Sequence, residues 1–151
     1  MRALTQSAHA VDLATSGEKA DAALGANAYD LVVLDEGGLA VLADPEFHTV
    51  RTASATGKMA YEAGADLILV GGSLTSRPID DIVEALKQSS LCPVVLFPGN
   101  LFQISGKADG ILLNSLISGR NPDYLIGNHV LISEYLKSSG MEIISTGYIL
   151  T

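Results

Sequence analysis

The sequence predicts an α/β fold with a mainly parallel sheet, and three observations carry that prediction. Short apolar runs alternate with amphipathic stretches along the chain, the order that builds a parallel sheet. The run Ala65-Asp66-Leu67-Ile68-Leu69-Val70 passes directly into Gly71-Gly72-Ser73. A strand buried on both faces reads this way, and its bare turn is either a simple exit or a loop whose backbone approaches a ligand closely. Finally, 48% of the 151 residues are hydrophobic and only 17% are charged, which suits a folded chain with much buried sheet.

The elements follow in order. Strands are expected near 9–14, 30–35, 39–43, 66–70, 93–97, 109–113 and 142–148, and helices near 17–25, 49–63, 79–89 and 122–138. The segment from Thr49 to Ala63 places Val50, Ala53, Met59 and Ala60 at helical spacing before a Gly64 stop. Pro78 followed by Asp80 and Asp81 marks a helix start, and Pro122-Asp123 repeats the signal. Three more strands share the exit pattern of residues 65–73. Leu39 to Ala43 runs into Asp44-Pro45-Glu46, Pro93 to Phe97 into Pro98-Gly99-Asn100, and Ala108 to Leu113 into Asn114-Ser115-Leu116 and onward to Pro122.

The junction at Asp35-Glu36-Gly37-Gly38 is too short for a parallel crossover, which needs a dozen or more residues. Strands 30–35 and 39–43 therefore form a hairpin, or one of them is not a strand. The length is that of one α/β domain spanning 1–151.

Composition excludes several classes. A net charge of -8 argues against nucleic acid, whose backbone requires clustered Lys and Arg. The apolar runs fall short of the roughly 18 residues that mark a transmembrane helix. Met1-Arg2-Ala3 leads into a polar segment with no apolar h-region, and one cysteine, Cys92, precludes an internal disulfide. The expectation is a cytoplasmic protein. Cys92 reads as a small buried residue before a strand. His9, His48 and His129 share no metal-ligand spacing, and Thr56-Gly57-Lys58 lacks the glycine of a phosphate-binding loop.

The ordered motifs Gly71-Gly72-Ser73, Phe97-Pro98-Gly99-Asn100, Ser118-Gly119-Arg120-Asn121-Pro122 and Thr146-Gly147-Tyr148-Ile149-Leu150 resemble the geranylgeranylglyceryl phosphate synthase family and its bacterial prenylglyceryl phosphate synthase relatives. The resemblance spans about residues 39–151. It implies a (β/α) barrel and Mg²⁺-dependent prenyl transfer to glycerol 1-phosphate. Carried over residue by residue, it implies Asp44 and Ser73 as metal ligands. It also implies Gly71, Gly72, Ser73, Gly99, Asn100 and Arg120 as contacts to an isoprenoid diphosphate or phosphate. The chain departs from the pattern at Glu46, where an aspartate is usual, and at Phe47, where a lysine is usual. From the residues alone, Asp44-Pro45-Glu46 reads equally as a helix N-cap and first turn, and Arg120 as ordering the loop before helix 122–138. Phe102 and Tyr124 line an isoprenoid groove or, the better bet, pack in the core.

Residues 3–14, 17–24 and 29–35 are similar to a response-regulator receiver fragment ending at its phosphoacceptor, here Asp35. Asp35 itself is better read as a strand-end or turn residue. Two partial resemblances meeting near Gly37 imply a chimera, natural or engineered. The strand count falls below the eight of a closed barrel, so an incomplete TIM-like barrel or an open flavodoxin-like sheet is expected. Open edges would favour self-association as a homodimer, swapped or not. The family grips glycerol phosphate beyond the Gly147-Tyr148-Ile149 segment. The leading expectation is thus a chimeric fold-recombination product without efficient catalysis. The alternatives are a Mg²⁺-dependent prenyltransferase and a residual phosphate- or diphosphate-binding module.

Overall fold

The computed structural model describes residues 30–33, 38–72 and 78–149. Its elements are β1 (Asp30–Val33), β2 (Leu39–Ala43), α1 (Val50–Glu62), β3 (Leu67–Val70), α2 (Asp80–Ser89), β4 (Val94–Leu96), β5 (Gly110–Leu116), α3 (Asn128–Ser139) and β6 (Glu142–Tyr148). The strands form one six-stranded sheet in sequential order. From β2 to β6 every neighbour is parallel, so the expected mainly parallel α/β sheet is present. β1 instead pairs antiparallel with β2, Val33 opposite Leu39. The hairpin is the correct alternative at that junction. The expected strand 9–14, helix 17–25 and Asp35 lie outside the described residues.

Strand alternation sorts the apolar side chains into two clusters. Leu39, Val41, Ala43, Ile68, Val70, Val94, Leu96 and Ile111 share a buried cluster with α1 and α2. Ala40, Leu69 and Val95 form a second, with Leu42, Leu67, Phe97 and Leu112 packed against it. Because successive side chains point to opposite faces, each central strand contributes to both, as the near-continuous apolar runs require.

The two helices α1 and α2 lie on the first cluster. Thr49 caps α1 in a reciprocal box with Thr52, and Gly64 follows the helix with φ +76°, the left-handed conformation that favours glycine. Inside α1, Gly57 is buried against α2. A Cβ there would strike Ser89 Oγ and come within 3.1 Å of the Leu86 carbonyl.

The entry ends of the strands are held by a repeated device. Asp66 accepts a hydrogen bond from the Leu39 N–H at 2.7 Å, and its own N–H donates to the Leu39 carbonyl. Asp109 does the same with Val94, its carboxylate at 2.8 Å. Lys87 pairs with Asp109 at 2.7 Å. Burial pushes the Asp109 carboxyl up, but the hydrogen bonds from Lys87 and Val94 outweigh it and hold it below the usual 3.8.

One expected boundary was misplaced. Asn114, Ser115 and Leu116, read above as turn residues, continue β5 because β6 offers a full-length partner, with Leu116 opposite Tyr148. The helix expected over 122–138 opens with a π-helical turn, Asp123–Gly127, before α3.

Candidate functional site

A cavity of about 390 Å³ opens at the C-terminal ends of the parallel strands. Its head is polar. Asp44, Gly71, Gly72, Phe97, Pro98, Gly99 and Asn100 leave β2, β3 and β4 there. Its wall is apolar, built by Leu42, Ile104, Leu112, Leu113, Leu116 and Ile132, with Tyr124, Asn128, His129 and Tyr148 among them. An elongated apolar ligand with an anionic head matches this division.

The head is assembled by close backbone approach. A Cβ on Gly71 would collide with the Phe97 carbonyl, and a Cβ on Gly72 would occupy the space of the Asp44 carboxylate. The bare glycines therefore serve first to let β4 and Asp44 close onto the turn. Asp44 is no helix N-cap, because Thr49 holds that place. Its Oδ1 accepts the Glu46 N–H at 2.9 Å, an Asx turn that orients the carboxylate. Below it, His48 Nδ1 lies 2.8 Å from the Asp44 carbonyl oxygen and Nε2 lies 3.1 Å from Thr56 Oγ1. The Asp44 loop is thereby tied to α1.

Of the residues expected at the site, Asp44, Gly71, Gly72, Gly99 and Asn100 come together at the cavity head. Ser73 lies outside the described residues. Arg120 is exposed and does not line the cavity, because the lengthened β5 puts it in the loop beyond Leu116. Phe47 and Phe102 are 78% and 70% exposed, so Phe102 is neither groove nor core. Tyr124, expected in the core, lines the cavity.

Several residues here carried no signal in the sequence. His129 pairs with a distant residue, its Nε2 donating to the Asn114 carbonyl oxygen 2.8 Å away. Asn114 Oδ1 is a buried side-chain oxygen without a hydrogen-bond partner among the described residues. It sits on a strand beside the apolar wall, where a ligand donor would satisfy it. Tyr148 meets Phe97 edge-on, ring centroids 5.7 Å apart, and both line the cavity.

Comparison with known proteins gives the family of the chain. The PcrB family model matches residues 36–151. The chain belongs to the PcrB family. Among PcrB relatives, the geranylgeranylglyceryl phosphate synthase of Flavobacterium johnsoniae is 47% identical over 113 residues, covering 74% of this chain and 46% of that protein. The enzyme of the same name from Spirosoma linguale is 46% identical over 110 residues, covering 72% and 44%. Wild-type GGGPS from Thermoplasma volcanium superposes with a TM-score of 0.70 at 33% identity, over 73% of this chain and 45% of that one. The (S)-3-O-geranylgeranylglyceryl phosphate synthase of Thermoplasma acidophilum, solved with its substrate sn-glycerol-1-phosphate, gives 0.67 at 33% identity over 72% and 44%. The chain thus spans just under half the length of these relatives.

These findings overturn the expectation of a chimeric product without efficient catalysis. A single family accounts for residues 36–151, and the relatives matched over that span are named as synthases. The receiver-like resemblance concerns residues ahead of this match, most of them outside those described. No described helix is long and apolar enough to cross a membrane.

Proposed function

We propose that this chain supplies the diphosphate-binding face of a prenyltransferase that joins an isoprenoid diphosphate to glycerol 1-phosphate. The observation that carries the reading is the Asp44 carboxylate seated on the bare Gly72 turn, at the head of an apolar cavity. The names of the relatives point to the same chemistry.

In this reading the prenyl tail lies along Leu112, Leu113, Leu116 and Ile132, and the diphosphate meets the turns at Gly72 and Gly99. The glycerol hydroxyl oxygen attacks the prenyl C1. A C–O bond forms there as the bond to diphosphate breaks, the diphosphate leaving with the electron pair and the hydroxyl proton passing to solvent. Asn114 Oδ1 is placed to accept a ligand hydroxyl beside the tail. The apolar wall would limit the access of water to the prenyl carbon.

Mg²⁺ is the ion that the resemblance implies, and one carboxylate is compatible with it. Among the described residues no group of three or more His, Cys, Asp or Glu side chains could enclose a metal, and Mg²⁺ is held by one or two carboxylates with substrate phosphates and water completing its shell. Asp44 would hold it, with Ser73 as the second ligand implied by the resemblance. When bound it supplies charge neutralisation for the departing diphosphate.

Self-association is part of the proposal. α3 leaves Val130 66%, Leu131 71% and Tyr135 47% exposed, and β6 adds Ile143 and Ile144, an apolar stretch suited to a second copy. Mg²⁺ with an isoprenoid diphosphate should protect the wild-type protein against thermal unfolding and, once glycerol 1-phosphate is added, give prenylglyceryl phosphate. Asp44→Ala should abolish both. A wild-type protein indifferent to Mg²⁺-diphosphate refutes the reading.

A further inference from the structure

We infer that Gln103 is a positioning residue whose side-chain amide sets the two glycine turns that meet the diphosphate; the inference rests on the function proposed above. Gln103 lies in a single 3₁₀ turn, Leu101–Gln103, after β4, and it is fully buried at 0% exposure. A glutamine in a loop is ordinarily solvent-facing, so its burial needs a cause.

The cause is the end of the β3–β4 ladder. The last paired residues are Val70 and Leu96, with Phe97 N–H still donating to the Val70 carbonyl at 2.8 Å. Beyond that point, among the described residues, no backbone hydrogen bond joins the two turns. Gln103 Oε1 accepts the Gly72 N–H at 3.1 Å and the Gly99 N–H at 3.0 Å. Its Nε2 donates to the Gly72 carbonyl at 2.7 Å. The amide thus acts as one more rung, satisfying both backbone groups of Gly72 and one of Gly99. All three bonds agree on which end of the amide is oxygen.

The consequence reaches Asp44. Gly72 is where the Asp44 carboxylate rests, so the rung that fixes Gly72 also fixes the seat of the proposed metal ligand. A purely structural glutamine would stabilise the fold without setting ligand affinity.

Gln103→Glu separates the two roles, because a carboxylate still accepts both N–H bonds but repels the Gly72 carbonyl. Titration with Mg²⁺ and inorganic diphosphate should show at least tenfold weaker binding in this variant. Combined with Gly72→Ala, which also displaces Asp44, the loss should be markedly less than the product of the single losses, since both act through one carboxylate. Equal affinity in Gln103→Glu and wild type, or strictly multiplicative losses, overturns the inference alone. No binding by wild type overturns the functional reading instead. Hydrogen exchange on the wild-type protein decides the case should the variant fail to fold. Gly72 and Gly99 amides slowed at least a hundredfold without ligand support a preset turn, and free-peptide rates there overturn it.

Discussion

The two halves of the sheet are built from the same strand–helix units and yet differ in how they are covered. Around β2, β3 and β4, helices α1 and α2 each bury four residues, among them Ala53, Ala60, Val83 and Leu86, and they press on each other at Gly57. Around β5 and β6, helix α3 buries only Leu136, and Glu142 to Ser145 of β6 are exposed. Hydrophobic burial scales with the apolar area removed from water, so the first half carries the stability. The second half supplies most of the cavity wall, from Leu112 to Leu116 and from Tyr124 to Ile132. Stability and the tail-binding surface are thus assigned to different halves, and the polar head sits on the stable one.

The largest expected effect tests this division directly. Leu86→Ala should cost about 3–4 kcal/mol in urea unfolding, the range for a large-to-small change in a filled core. An effect under about 1 kcal/mol would break the comparison, because a fully buried α2 leucine would then be no better anchored than α3. Next comes Gly72→Ala. Its Cβ meets a carboxylate, which can swing aside, where a Cβ on Gly71 meets fixed backbone. The cost in stability should stay within about 1–3 kcal/mol, while Mg²⁺-diphosphate affinity falls at least tenfold. Loss of both in proportion would mean that the head is not separable from the fold.

Asp109→Asn sharpens the comparison at the other end of the strands. The side chain is 42% exposed, so after screening the loss should be only about 0.5–1 kcal/mol at neutral pH. Its folded pKa lies below the ordinary 3.8. The stabilisation is therefore complete above that value and disappears as pH falls through the lowered folded value. Acid unfolding of the wild type should steepen in that window, and Asp109→Asn should flatten it. The smallest effect is expected for Leu131→Lys. On an exposed face it should move stability by no more than about 0.5 kcal/mol, while light scattering shows less self-association. A large loss of stability would place Leu131 in a core that the structure leaves uncovered.

Local chemistry made much of this fold legible in advance. Apolar runs marked β2 to β4, Gly64 marked the end of α1, and Asp80-Asp81 marked the start of α2. Each depends on residues adjacent in the chain. The Gly71-Gly72 turn was equally visible as a site of close approach. What approaches it was not, since Phe97 and Asp44 lie 26 and 28 residues away in sequence from the glycine each contacts.

The least legible residues share a property. Gln103 reaches Gly72 across 31 positions, His129 reaches Asn114 across 15, and Asp66 reaches Leu39 across 27. A side chain's preference is visible in its own neighbourhood only when its partner is there. The extension of β5 through Leu116 has the same origin, for a strand lasts as long as its neighbour pairs with it.

By itself, then, the sequence determined the alternation of strands and helices, the polar turns at the strand ends and the acidic, cysteine-poor character of the chain. Those follow from composition and short-range periodicity. Only the tertiary structure decided that Asp44 rests on Gly72, that Gln103 joins two turns and that Tyr124 lines the cavity. Such outcomes belong to groups brought together by packing, and packing is settled by all the strands at once.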